Sequence, residues 1–205
     1  YLGGNNAGVY VMDPNGENVE RLTSFPYIQA PVNSPVWSAD GNQIAFVGDG
    51  ASGRNIYLIN QEGMFNYHSS LMVDNLITPE KVPPNFCDED NSRNGGYQIH
   101  SLSWSPDGQR LAFTCASQRQ TDELVCLVNL QKEIDCWAIS VITGATPEIR
   151  GIPKVDWSPV RARLAISFEL AGDKTSKVYL ADLDGRNAVF LVEGKYPRWS
   201  SNGQQ

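Results

Sequence analysis

The stretch Leu102-Ser103-Trp104-Ser105-Pro106-Asp107-Gly108-Gln109-Arg110-Leu111-Ala112-Phe113 decides the fold, because the chain repeats it. Pro35-Val36-Trp37-Ser38-Ala39-Asp40-Gly41-Asn42-Gln43-Ile44-Ala45-Phe46 is a second copy. A third opens with Val155-Asp156-Trp157-Ser158-Pro159 and runs to Leu164-Ala165-Ile166, and a fourth surrounds Trp199-Ser200 between Tyr196 and Gln205. The tryptophans of successive copies stand 67, 53 and 42 residues apart. A period of that order, with several short strands in each copy, is the signature of propeller blades.

Each copy has a mechanical reading. In Ser-Pro-Asp-Gly the proline presets φ, the aspartate side chain bonds nearby backbone amides, and the glycine supplies a positive φ, so the chain reverses. The apolar runs Ile44 to Val47 and Leu111 to Thr114 follow such a turn and suit buried strands. A large indole at one fixed point per blade fills the space between neighbouring sheets, so the four tryptophans are expected in the core rather than on a ligand. A second element also recurs, at Gly8 to Gly16, Asn55 to Gly63, Cys136 to Gly144 and Lys177 to Gly185, each an apolar run with an aromatic that ends in a glycine turn. These segments read as the third strand of each blade, with Val19 to Thr23 a fourth.

The expected architecture is therefore all-β, a β-propeller of four-stranded antiparallel blades with about four blade-equivalents. Blades are placed at 35–82, 102–150 and 155–194, and a split blade joins 1–24 with 196–205, all within one domain. By the repeat, Tyr1 corresponds to Phe46 and Gln205 to Gln43, so the chain holds almost four periods. Both a closed four-bladed ring, which leaves no free sheet edge, and a window on a larger propeller fit that phase. The start at Tyr1 without a methionine carries the expectation of an upstream segment.

Pro-x-Trp-Ser-Pro-Asp-Gly-x-x-Ile-Ala-Phe, followed by Ile-Tyr-Val-Met-Asp-x-x-Gly, resembles the WD-like repeat of the TolB family, which is also found in tricorn-type and oligopeptidase-type propellers. The resemblance spans nearly the whole chain. It implies a fold and leaves function open, since the matched residues build blades. The third copy departs from it: Val160-Arg161-Ala162-Arg163 replaces the Asp-Gly turn, which predicts a longer or differently shaped loop. Arg161 and Arg163 are thereby candidate partner contacts, with a solvated loop as the alternative.

At 205 residues and 41% hydrophobic, the chain can bury a sizeable core. Its 23 acidic against 16 basic residues, a net charge of −7, argue against nucleic acid as a partner. No run of 18 apolar residues provides a transmembrane segment. The four cysteines, Cys87, Cys115, Cys126 and Cys136, fall within one 50-residue stretch and read as two disulfides in an oxidising compartment, periplasmic or extracellular. Three connectivities are open, with Cys126–Cys136 and Cys87–Cys115 preferred; four reduced thiols are the alternative. Zinc is not expected, because no Cys-x-x-Cys pair occurs and His68 and His100 lack metal-ligand spacing.

Two interruptions of the repeat, 64–97 and 116–135, read as insertions where function would reside, since loops on a rigid scaffold carry contacts. Asp88 and Asp90 make 88–95 a calcium-loop candidate, although Arg93 stands where that loop needs glycine. Gly48-Asp49-Gly50-Ala51-Ser52-Gly53 matches a dinucleotide fingerprint, but a strand follows it where the pyrophosphate needs a helix N-terminus. No Gly-x-Ser-x-Gly elbow accompanies either histidine, so a Ser-His-Asp site has no support. No cofactor is called for. The expected function is a non-catalytic interaction module presenting loops to a protein partner in an extracytoplasmic assembly. The alternatives are the substrate-gating propeller of a larger hydrolase or peptidase, and a propeller that binds or hydrolyses glycans.

Overall fold

A computed structural model describes residues 8–23, 28–50, 53–60, 74–75, 98–116, 123–144 and 148–204. The described residues form three four-stranded antiparallel sheets and a short hairpin. The hairpin is β1 (Tyr10–Val11) with β2 (Glu20–Arg21). The first blade runs β3 (Ile28–Trp37), β4 (Gln43–Gly50), β5 (Gly53–Asn60) and β6 (Asp74–Asn75) in sequence order. The second has β7 (Gln98–Trp104), β8 (Arg110–Ala116), β9 (Glu123–Asn129) and β10 (Ile134–Ala138), followed by a four-residue helix α1 (Ser140–Thr143). The third has β11 (Ile149–Trp157), β12 (Arg163–Leu170), β13 (Lys177–Asp182) and β14 (Val189–Glu193).

The first strands β3, β7 and β11 pack side by side, which puts them innermost. The core lies between blades. Ala45, Val47, Ile56 and Leu58 of the first blade meet Ile99, Trp104, Leu111 and Phe113 of the second. Ala112, Val125 and Leu127 of the second meet Val155, Trp157, Leu164 and Ile166 of the third. Alternate residues of β4 and of β8 therefore serve opposite faces, which is why Ile44 to Val47 and Leu111 to Phe113 are continuous apolar runs rather than alternating. Val9, Val11 and Leu22, in and beside the β1–β2 hairpin, cover Ile44, Phe46, Tyr57 and Ile59 on the far face of the first blade. No sheet closes on itself, so the sheets confirm blades but not a closed four-bladed ring.

The turns repeat as closely as the strands. The Ser38 amide bonds the Gln43 carbonyl at 2.8 Å, the Ser105 amide the Arg110 carbonyl at 2.8 Å, and the Ser158 amide the Arg163 carbonyl at 2.9 Å. Of the two outcomes expected from its sequence, the third turn is no longer than the others but is organised differently. Its solution is local: the amides of Val160 and Arg161 turn to Ser158 Oγ at 3.5 and 3.2 Å, replacing the aspartate as the organiser.

The second blade corrects the sequence reading at one element. Cys136 to Gly144 is not a third strand but the fourth strand β10 running into α1. The third strand is β9, so within the stretch 116–135 residues 123–129 are regular sheet rather than part of an insertion. The hairpin turn after β9 is the same one seen elsewhere: the Lys132 amide bonds the Asn129 carbonyl, as Gly16 does with Asp13 and Gly185 with Asp182. Lys132 takes the glycine's place at φ 66°, against 84° and 79° for Gly16 and Gly185. A glycine-terminated pattern could not find it.

Candidate functional site

Four Trp-Ser turns open onto one face and line a cleft of about 290 Å³. Trp37, Trp104, Trp157 and Trp199 contribute to its wall, together with Asp156 and Arg198. The indoles also join the blades. Trp104 Nε1 donates back to the Val36 carbonyl of β3 at 3.1 Å, and Trp199 Nε1 donates back to the Asp156 carbonyl of β11 at 3.2 Å. Each bond leaves a tryptophan and lands on the residue just before the tryptophan of the preceding blade.

That preceding position carries a second latch. Ser103 Oγ accepts the Trp157 amide at 2.9 Å, and Asp156 Oδ2 accepts the Trp199 amide at 2.7 Å. Ser101 Oγ likewise accepts the Val155 amide at 3.2 Å. These side chains satisfy inner-strand amides that no sheet ladder reaches, since buried backbone donors need partners. Asp156 is the most connected: its Oδ1 accepts Ser103 Oγ and Arg198 Nη1, both at 3.2 Å. Its side chain is 11% exposed while that of Arg198 is 71% exposed. The carboxylate is a structural hub; the guanidinium is anchored at one nitrogen and presents the rest to solvent.

Trp37 differs from its counterparts. It is 50% exposed, against 8% for Trp104 and 5% for Trp157, because the β1–β2 hairpin covers only the outer part of its blade face. The expectation that the tryptophans are core holds for Trp104 and Trp157 and fails for Trp37. Beside the cleft, Tyr196 is exposed and lies under Lys154 Nζ, 5.7 Å from the ring centroid. Desolvation by burial pushes the Lys154 ammonium below its ordinary pKa. The turn aspartates Asp40 and Asp107 are held below the usual carboxylate range, first by the hydroxyls of Ser38 and Ser105 and then by the amides of Asn42 and Gln109.

The structure places the other sequence candidates as follows. Arg163 braces its own blade, with Nη2 donating to the carbonyls of Leu180 (3.3 Å) and Asn187 (3.2 Å) and Nε 3.5 Å from Asp182. Arg161 has an exposed position in the third turn. Cys126 and Cys136 are joined by a disulfide across β9 and β10, and Cys115 is also disulfide-bonded. Cys87, the 64–97 segment apart from 74–75, and the calcium-loop candidates Asp88 and Asp90 lie outside the described residues. Among the described residues, no group of three or more His, Cys, Asp or Glu side chains is placed to hold a metal ion. Gly50 pairs with Gly53 in a tight β4–β5 hairpin, so the fingerprint-like glycines lead into a strand. Sequence reasoning missed Asp156 and Arg198. The available signal was their position: two charges immediately before tryptophans where the first copy has Val36.

No protein-family model matches the sequence, and no curated protein matches it. Solved structures match the fold. TolB from Acinetobacter baumannii aligns with a TM-score of 0.63 at 15% identity, covering 95% of this chain and 40% of that one. A putative TolB from Agrobacterium tumefaciens aligns with a TM-score of 0.63 at 18% identity, covering 96% and 62%. A chain of a nidogen/laminin complex aligns at 0.52 and 10% identity, covering 90% and 55%. The chain thus spans less than two thirds of each of these, and identities this low speak to fold alone. Together with the three meandering sheets and the Trp-Ser turns, they make this chain a β-propeller whose fold is similar to that of TolB.

Proposed function

We propose that this chain is a non-catalytic part of a larger β-propeller that binds an extracytoplasmic protein partner on its Trp-Ser face. The observation that carries this reading is the pairing in one cleft of a half-exposed indole, Trp37, with an exposed guanidinium, Arg198, fixed by Asp156. Exposed tryptophan and arginine are the side chains most enriched among residues that dominate binding energy. An arginine held by a buried carboxylate loses less entropy on engaging a partner carboxylate than a free one. The same tryptophan supports the larger propeller: the equivalent rings of Trp104 and Trp157 are packed against the preceding blade. The Cys126–Cys136 disulfide supports an oxidising compartment. Among the described residues no helix is long and apolar enough to cross a membrane. The 64–97 segment, proposed as a partner-contacting loop, would add to this face or act apart from it.

The test places a photo-crosslinking amino acid at Ala39, which lines the cleft, or at Arg186, exposed on the third blade. Protein adducts from position 39 that disappear when Arg198→Ala is added are expected, with none from position 186. Equal adducts at both positions contradict the reading. So does turnover on a glycoside and peptide panel that is abolished by a single carboxylate substitution.

A further inference from the structure

Three residues before its tryptophan, each copy of the repeat has a position at the seam between innermost strands: Ser34, Ser101, Lys154 and Tyr196. The two serines are spent on the fold. Ser34 Oγ donates to the His100 carbonyl of β7 at 2.8 Å, and Ser101 Oγ accepts the Val155 amide of β11 at 3.2 Å. Lys154 makes no such latch. Among the described residues no carboxylate stands within ion-pair distance of its half-buried ammonium, whereas Lys177 and Lys195 are paired with Asp173 and Glu169. The Tyr196 ring, 5.7 Å away, covers one side of Lys154 Nζ. An ammonium partly withdrawn from water without a counter-ion carries a cost that an incoming anion relieves.

Asp156 stands two residues further along β11. Lys154 and Asp156 pair with Ser167 and Ala165 of β12, so they share the face opposite that of Val155 and Trp157. Arg198 is held on Asp156 by Nη1 alone and keeps its other donors for solvent. Two cations are therefore mounted along one seam. Their anchor positions, 154 and 156, are about 7 Å apart by the rise of a strand, the same step that separates side chains i and i+2 on one side of an extended peptide.

We propose that Lys154 and Tyr196 form a second carboxylate-binding subsite beside the cleft, and that together with Arg198 it selects an extended acidic segment of the partner with carboxylates two residues apart. This rests on the partner-binding reading above and adds the chemistry of what is bound. One carboxylate takes the free N–H groups of Arg198, and the other takes those of Lys154 that the tyrosine ring does not face. The complementarity is local. With a net charge of −7 the chain as a whole repels an acidic segment, so only fixed cations of this kind attract it. The same net charge disfavours a nucleic-acid backbone, whose charge runs on past the seam.

The experiment is an NMR titration of the full chain at low salt, read at the Trp199 amide, with acetylated and amidated peptides whose cores are Glu-Ala-Glu, Glu-Ala-Gln or Glu-Glu-Ala. Glu-Ala-Glu is expected to bind at least about fivefold more tightly than either of the others, the factor a partly desolvated ion pair supplies. Lys154→Met removes the unpaired charge and keeps the packing of the stem. It is expected to hold Glu-Ala-Gln as the wild-type chain does, through Arg198, and to lose the preference for Glu-Ala-Glu. Equal affinities of the wild-type chain for the three peptides overturn the subsite, and this comparison needs no variant. Full preference retained in Lys154→Met overturns it as well, as does an oligothymidylate that binds as tightly as Glu-Ala-Glu. Equal peptide affinities in protein that still gives the position-39 adducts sink the subsite alone and leave the partner reading standing.

Discussion

Gly185 carries two constraints that Gly41 carries singly. Both have positive φ, 79° and 72°, as tight turns require. A Cβ on Gly41 would meet nothing within 4 Å, whereas one on Gly185 would lie 2.7 Å from Cε3 of Trp137. That indole is fixed in turn by its Nε1 bond to the Leu183 carbonyl at 2.8 Å, so it cannot swing away. Gly41→Ala is expected to cost about 1–2 kcal/mol, the left-handed penalty alone. Gly185→Ala should lose that plus about 1–3 kcal/mol of overpacking, read as a clearly lower urea midpoint than Gly41→Ala. Equal midpoints would contradict the packing of Trp137 on this turn. The glycine was legible in the sequence as a turn residue; its contact with Trp137 was not, because the two lie 48 positions apart on different blades.

At the scale of elements, β9 shows where reading by pattern stops. Leu124 to Val128 is as apolar as any third strand, but its turn ends in Lys132 instead of glycine, and the next glycine in the sequence is Gly144. The fold keeps the turn because the backbone bonds Lys132 to Asn129 and Asn129 to Glu133 are the ones used in the other hairpins. The lysine therefore occupies a left-handed conformation at some cost. Lys132→Gly should raise stability by up to about 1 kcal/mol, the relief of the left-handed penalty less the added freedom of glycine in the unfolded chain. A lower denaturation midpoint for this variant would mean that the lysine side chain contributes more than its backbone costs. By contrast the Ser-x-Asp-Gly turns were readable in full, since every residue that organises them is local.

Across the whole molecule, the repeat states which blades touch and leaves out what they exchange. Its fixed members, tryptophan and serine, specify turns and junctions, so the order and stacking of the described sheets follow from it. The variable residue before each tryptophan, Val36, Ser103, Asp156 or Arg198, is the one that latches to the next blade or faces the cleft. Its role depends on an inner strand some 40 to 70 residues away, a distance at which sequence spacing carries no geometry. The candidate site was hidden for that reason, although its tryptophans mark every copy of the repeat.

The junction account makes different claims about the indoles, and hydrogen exchange of their N–H groups followed by NMR separates them. Trp104, Trp137 and Trp199 each donate to a backbone carbonyl, while Trp37 sits half-exposed on the uncovered face. The account predicts three slowly exchanging indole protons from those residues and rapid exchange at Trp37. Protection of Trp37 equal to that of Trp104 would contradict it, because the face taken here as open would then be covered.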